Sequence, residues 1–312
     1  DDRAQRIKGG LLGLASEKGA QVPDDAALLD EVTDLVEQPT PFLGNFEQEY
    51  LDLPKEVLIT VMKKHQRYFP LVRDGEMLPY FIGVRNGDEA HLDIVREGNE
   101  AVLRARFADA AYFYRADTRR KLEEYLLRLA TLTFQEQLGS LLDKTERIER
   151  LVPWLAKVLA LSDDEQAVAR RAAHLCKADL VTKMVIEMTS LQGVMGREYA
   201  LRSGERPEVA QAIFEHYLPR YEGDALPQSK AGLALGLADR LDSLVGLFAI
   251  GSAPSGSSDP YGLRRAAMGI VRLLIESRRS LSLRQSLQRA AEALPVELSE
   301  ERLQEAQAFI SA

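Results

Sequence analysis

Six side chains in the second half of the chain have the types that a metal-dependent phosphohydrolase gathers: His174, Asp179, His216, Asp224, Asp239 and Asp242. Their spacing does not assemble such a site locally. His174 and Asp179 are five residues apart, which turns them away from each other on one helix. Neither an adjacent His-Asp pair nor His-Glu-x-x-His occurs. Only four histidines are present and none sits in a nucleophile motif, so a serine or cysteine triad has no support. The single Cys176 excludes an internal disulfide framework and a cysteine-rich zinc cluster, and it fits a reducing cytoplasm.

A second stretch, "GSAPSGSSDPYGLRRAAMG" from Gly251 to Gly269, has the composition of a phosphate-holding loop. A Walker-type loop needs Lys and then Ser or Thr after its second glycine, whereas Gly256 is followed by Ser257. A dinucleotide loop follows a strand, and "LVGLFAI" belongs to a helical run. Local structure explains the stretch better: Asp259 is expected to cap a helix, Pro260 to take its first position, and the glycines to allow the turn.

Basic residues offer a different chemistry. The helix after the loop carries Arg264 and Arg265 in its first turn, and Arg265, Arg272 and Arg279 recur every seven residues as one stripe. No regular acidic partners sit four residues away to pair all three arginines. In "VREGNEAVLRARFADAAYFYRADTRRKLEEYL", Arg104, Arg115 and Arg119 share one sector if the helix is continuous, with Arg106 close by. Leu103, Phe107, Tyr114 and Tyr125 are expected in a core beside them. A third patch, "MKKHQRYFP", holds Lys63, Lys64 and Arg67. The net charge of −8 argues against nucleic-acid binding by bulk electrostatics, so any such face has to be local.

The elements that position these residues change character along the chain. Leu28, Leu29, Val32, Leu35 and Val36 have helical spacing, with Asp24 or Asp25 as the cap and Pro39 and Pro41 as the stop. "PKEVLITVMKKHQRYFP" predicts a helix opened by Pro54, and Asp74-Gly75 predicts a hairpin between two β-rich runs, the second ended by Asn86-Gly87. From His91 to Thr131 the pattern reads as helix, and the runs starting at Thr133, Glu165, Glu208, Ser229 and Asp259 read as further helices. The expected fold is an α+β segment over 1–130, an all-α domain over 131–280, and the start of a further helical linker over 281–312. The absence of an initiator Met suggests an excised fragment, and no apolar run spans a bilayer.

The strings "VMKKHQRYFPL", "GNEAVLRARFADAAYFYRAD", "FQEQLGSLLDKTERI", "KADLVTKMV", "LQGVMGREYA" and "ADRLDSLVGLFAIGSAPSGSSDPYGLRRAAMGIVRLL" occur in that order. Together, from about Leu29 to Glu276, they resemble the beta subunit of the bacterial heterotetrameric glycyl-tRNA synthetase, of which this chain looks like the central part. The resemblance implies that glycine activation, with ATP and Mg, belongs to a separate alpha subunit. It implies no catalytic residue and no cofactor in this chain, and an inactive fragment on its own. The implied partners are the alpha subunit, a second beta subunit and tRNA for glycine. The helical part also resembles the HD phosphohydrolase superfamily. On that alignment Lys177 and Ala178 stand at the metal-binding His-Asp pair, Asp239 matches the late Asp, and Asp179 lies beside the altered pair. The resemblance then implies a lost metal site in which Asp239 accepts hydrogen bonds, among them one from Lys177. A surviving HD-type hydrolase and a subunit-docking module without RNA contact stand as the alternatives.

Overall fold

The computed structural model describes residues 2–311, apart from the side chain of His65. The termini of the first and last expected segments, Asp1 and Ala312, lie outside it. The described chain divides into two compact units at residues 117/118.

In the first unit a three-stranded antiparallel sheet of order β1-β3-β2 is covered on both faces. The helices α1 (Asp2–Glu17) and α2 (Ala26–Leu35) bury Ile7, Leu11, Leu28, Leu29 and Val32 against one face, on Phe69, Leu71 and Ile82. Asp25 caps α2 by accepting from the Leu28 amide. Strand β1 (Pro39–Asn45) begins where the two prolines are expected only to end a helix. The sheet tolerates them because β1 is an edge strand, where an N–H is dispensable. The helix α3 (Lys55–Gln66) follows Pro54, and β2 (Phe69–Arg73) and β3 (Glu76–Asn86) form the expected hairpin. Asp74 and Gly75 both have positive φ, 51° and 85°, as a two-residue turn matched to strand twist requires. On the other sheet face, Phe81 stacks on Tyr68 and meets Phe42 edge-on. Farther along this core, Phe46 and Tyr50 pack on Phe107 of α4 (Leu92–Asp117). Gly83 is required here, since a Cβ would come within 2.5 Å of the Phe42 ring.

The helix expected to reach Thr131 therefore ends at Asp117. A 3-10 segment, Leu122–Thr131, replaces its last turns and buries Leu122, Tyr125, Leu126 and Leu129 within the second unit. Its start is held by the Ser203 hydroxyl, which accepts from the Leu122 amide at 2.8 Å. These apolar residues belong to the helical core, which moves the division upstream of Ala130.

In the second unit, two short strands, β4 (Thr133–Gln135) and β5 (Gly139–Ser140), occupy the expected start of a helix. Gly139 (φ 86°) and the Ser140–Asp143 capping box delay α5 to Leu141–Val158. Then come α6 (Asp163–Leu175), α7 (Lys183–Glu187), α8 (Val194–Arg202) and α9 (Pro207–Glu215). The single helix expected across residues 165–188 is broken: a 3-10 turn at Ala178–Val181 separates α6 from α7. The axial helix α10 (Lys230–Ala249) buries sixteen of its twenty residues among its neighbours. The helices α11 (Leu263–Glu276), α12 (Leu283–Ala291) and α13 (Glu300–Ser311) complete the unit. Leu287 and Ile310 are buried, and Phe248 of α10 packs on Phe309 at 5.3 Å, so the terminal helices belong to this core rather than to a detached linker. None of the described helices is long and apolar enough to cross a membrane.

Candidate nucleic-acid interface

The amphipathic pattern of α11 turns Leu263, Ala267, Ile270 and Leu273 into the core and leaves Arg264 and Arg265 exposed, with Arg272 part-buried. The helix starts later than the sequence suggests. Gly262 takes a left-handed conformation (φ 66°), so Pro260 lies in the preceding turn rather than at the first helical position. Asp259 still caps: its carboxylate accepts from the Leu263 amide at 2.8 Å and from the Arg264 amide at 2.9 Å. Arg264 donates to the Gly256 carbonyl at 2.6 Å and Arg272 to the Tyr221 carbonyl at 3.2 Å. Among the described residues none of the three arginines pairs with a carboxylate. Arg279, the expected end of the stripe, falls after the helix stops at Glu276, because Arg278 adopts positive φ (52°).

The other basic patches are differently placed. Lys63 pairs with Asp25, Arg67 with Glu31 at 2.7 Å, and Arg104 with Glu47. Lys64 and Arg106 are exposed on α3 and α4, and Arg115 is exposed in the last turn of α4. Arg119 follows the end of α4, so no continuous helical stripe joins it to Arg104 and Arg115.

Beneath α11 lies a buried charge network. Lys177 donates to Asp239 Oδ2 at 2.8 Å and to His216 Nε2 at 2.9 Å, and its ammonium sits 4.3 Å from the centre of the Tyr217 ring. The Nδ1–H of His216 donates to the Ile213 carbonyl, so Nε2 is left as an acceptor and the imidazole is neutral. Burial and the nearby Lys177 hold the His216 pKa well below its ordinary value. Lys144 reaches Asp239 Oδ1 at 3.1 Å and Asp242 Oδ2 at 3.0 Å, and Arg147 donates to Asp242 Oδ1 at 2.7 Å. Burial opposes the ionisation of Asp239, but Lys177 and Lys144 outweigh it and keep that carboxylate well below its usual pKa. The sequence reading misses Lys144 and Arg147. They are three residues apart on α5, and Asp239 and Asp242 three apart on α10, so each pair shares a helix face.

These donors do not fit a metal ion. Both Asp239 oxygens accept from ammonium groups, and the free lone pair of His216 faces a third N–H. Asp179 points elsewhere: its Oδ2 accepts from the Gly193 and Gly196 amides at 2.6 and 3.1 Å and so caps α8. Its Oδ1 is buried without a partner, and burial pushes its pKa up to about 6. His174 faces Glu123 and Glu149, and Asp224 pairs with Arg220 at 2.9 Å. Among the described residues no group of three or more His, Cys, Asp or Glu is placed to hold a metal.

Arg240, also missed, is a scaffold residue. Its guanidinium donates to the carbonyls of His216, Tyr217, Leu218, Pro219 and Gly236, and a glycine at 269 lets α11 pass over it.

A family model described as glycyl-tRNA synthetase beta subunit matches residues 1–312. The chain is 51% identical over 288 residues to the glycine–tRNA ligase beta subunit of Clostridioides difficile, covering 92% of this chain and 42% of that protein. It is 52% identical over 276 residues to the same subunit of Desulforamulus reducens, with 88% and 40% covered. For Desulforudis audaxviator the identity is 53% over 265 residues, with 84% and 38% covered. The chain thus spans about two fifths of the length of these curated relatives. A match along the whole chain together with this degree of identity places it: the chain belongs to the glycyl-tRNA synthetase beta subunit family.

Proposed function

We propose that this chain is a tRNA-binding, non-catalytic part of glycine–tRNA ligase that supports ATP-dependent attachment of glycine to tRNA by an alpha subunit in the cytoplasm. The observation that carries the reading is the arginine face of α11, where Arg264, Arg265 and Arg272 have no carboxylate partner among the described residues. Cations left unneutralised at a surface are the groups that contact phosphates and release counterions. Arg104, Arg106, Arg115 and Arg119, with the Lys63, Lys64 and Arg67 patch, are secondary contacts in this reading, weakened where a carboxylate already holds the cation. The helical part is an HD-like domain whose metal pair has been replaced, and Lys177 supplies the positive charge in its interior. The partners are the alpha subunit, a second beta subunit and tRNA for glycine, while ATP and Mg serve the alpha subunit.

Binding of tRNA to the complex with the alpha subunit, measured over a range of salt, tests this. Replacing Arg265 and Arg272 by Ala weakens binding and flattens its salt dependence, and glycine activation changes much less. Parent-like binding at every salt concentration would make the stripe a solvated face.

A further inference from the structure

The arginine face borders a cavity that the phosphate-tracking reading does not use. A cavity of about 500 Å³ opens between the 216–221 segment, α10 and the start of α11, with Tyr221, Tyr261, Arg265 and Gln192 among its lining residues. A second hollow of about 570 Å³ shares Pro219, Tyr221 and Arg265 with it and extends along Arg264, Met268 and Arg272. Volumes of this order fall within the roughly 300–1,000 Å³ of pockets that hold small organic ligands, and are excessive for an inorganic anion alone.

The charge around the first cavity favours an anion. Behind it, Lys144, Arg147 and Lys177 pair with Asp239 and Asp242, and a third carboxylate, Asp179, lies within electrostatic reach of Lys177. His216 is neutral, so the positive excess comes from the two arginines that no carboxylate pairs. Arg240 adds a buried guanidinium satisfied by carbonyls alone, and Arg265 adds an exposed one. Arg220 on the rim is paired with Asp224. The carboxylates on the two linings are Asp239, already bound by two lysines, and the exposed Glu222.

The rim also exposes aromatic surface. Tyr221 is 62% exposed, Tyr261 44% and Met268 62%, although each has an apolar body that folding normally covers. The Arg220 guanidinium lies 5.7 Å from the centre of the Tyr221 ring and backs it as a platform. The segment carrying Tyr221 is fixed from below by Arg240 and from its own end by the Arg220–Asp224 pair. Aromatic platforms beside guanidinium groups recognise unstacked bases joined to phosphate.

We propose that this cavity binds one unstacked nucleoside monophosphate unit, with the base against Tyr221 or Tyr261 and the phosphate on Arg265. The unit has two possible sources, a free nucleotide or an unpaired nucleotide of RNA. Only the RNA source rests on the tRNA-binding reading. Gln192, with both a donor and an acceptor, lies on the lining to meet a base edge.

The test is calorimetric titration of the full chain with AMP, CMP, GMP and UMP, their nucleosides, inorganic phosphate, and single-stranded RNA trinucleotides. Tyr221→Ala is expected to weaken binding of the best ligand by roughly ten-fold, as loss of base stacking does. Tyr221→Phe retains the affinity, and Arg265→Ala removes the preference for the monophosphate over its nucleoside. Mononucleotide binding with these sensitivities supports the free-nucleotide source, and trinucleotide binding alone with the same sensitivities supports the RNA source. If no probe binds, or if binding is indifferent to both Tyr221→Ala and Arg265→Ala, the cavity site is overturned. Transfer RNA binding that depends on Arg265 and Arg272 but ignores Tyr221→Ala, with no nucleotide binding, overturns the cavity while leaving the phosphate face standing. Loss of the arginine dependence of tRNA binding, with nucleotide binding intact, does the reverse.

Discussion

Lys63, Arg67 and Arg104 in the mixed α/β unit each close an ion pair with a carboxylate brought in from another segment, whereas Arg264, Arg265 and Arg272 on α11 donate to carbonyl oxygens or face solvent. In sequence both sets are clusters of cations in an acidic chain. The difference arises from tertiary neighbours: Asp25 and Glu31, which cap or lie on α2, reach Lys63 and Arg67 at the C-terminal end of α3, and Glu47 precedes a turn whose Tyr50 packs on α4. Beneath α11 the helical unit instead buries two carboxylates, although elsewhere on its surface Glu123, Asp164 and Glu300 pair with arginines. Asp239 and Asp242 are consumed by Lys144, Arg147 and Lys177, and the surface arginines above them are left without counter-charges. A cation already held by a carboxylate has less to gain from a phosphate, because the existing pair must first open.

The buried half of this comparison carries the largest expected effect. Lys177→Met leaves His216 without its donor and Asp239 with one lysine, and should cost about 3 kcal/mol or somewhat more in denaturant unfolding, near the lower end for breaking a buried pair because Lys144 remains. A loss below about 1 kcal/mol would mean that the network is not a unit.

Asp179 sharpens the same half through pH. Its folded pKa is raised from 3.8 to about 6, so the folded state favours the neutral carboxyl. The resulting stabilisation is complete below the unfolded value of 3.8 and disappears as pH rises through about 6. The step amounts to about 3 kcal/mol. Asp179→Asn keeps an acceptor for the Gly193 and Gly196 amides. The difference in stability between parent and variant should therefore change by about 2 kcal/mol between pH 4 and pH 6 and level off by about pH 7. A constant difference across that window would contradict the assignment.

A smaller effect is expected where α11 crosses Arg240 of α10. A Cβ at position 269 would lie 2.5 Å from Arg240 Nε, so Gly269→Ala has to displace the guanidinium that holds five carbonyls. Overpacking of this kind costs about 1–3 kcal/mol, offset by up to about 1 kcal/mol of helix propensity. Thermal unfolding of the variant should show a net loss, and unchanged stability would mean that α11 slides freely over Arg240.

Local chemistry was the legible part of this sequence. Asp74-Gly75 specified its hairpin, and Asp25, one of the two cap candidates, caps α2. Lys177 and Asp239 were matched across sixty-two positions only because a family resemblance aligned them. What local pattern could not show was interruption. Residues 133–140 have helix-compatible composition, yet Gly139 and the Ser140 cap start the helix later, and Leu122–Thr131 leaves the helical path because its apolar face is claimed by the second core. Nor could it show neutralisation. Arg67 meets Glu31 across thirty-six residues, and nothing in the spacing of either announces the pair.

The most direct test sets the two basic regions against each other. The salt dependence of tRNA affinity is measured for the full chain with the proposed alpha partner, for Arg265→Ala with Arg272→Ala, and for Lys63→Ala with Arg67→Ala and Arg104→Ala. Each lost phosphate contact flattens the log–log slope by roughly 0.7–0.9. The account predicts a slope flatter by nearly two contacts for the α11 pair and by less than one for the triple variant. Equal flattening in both, or flattening confined to the triple variant, would contradict it.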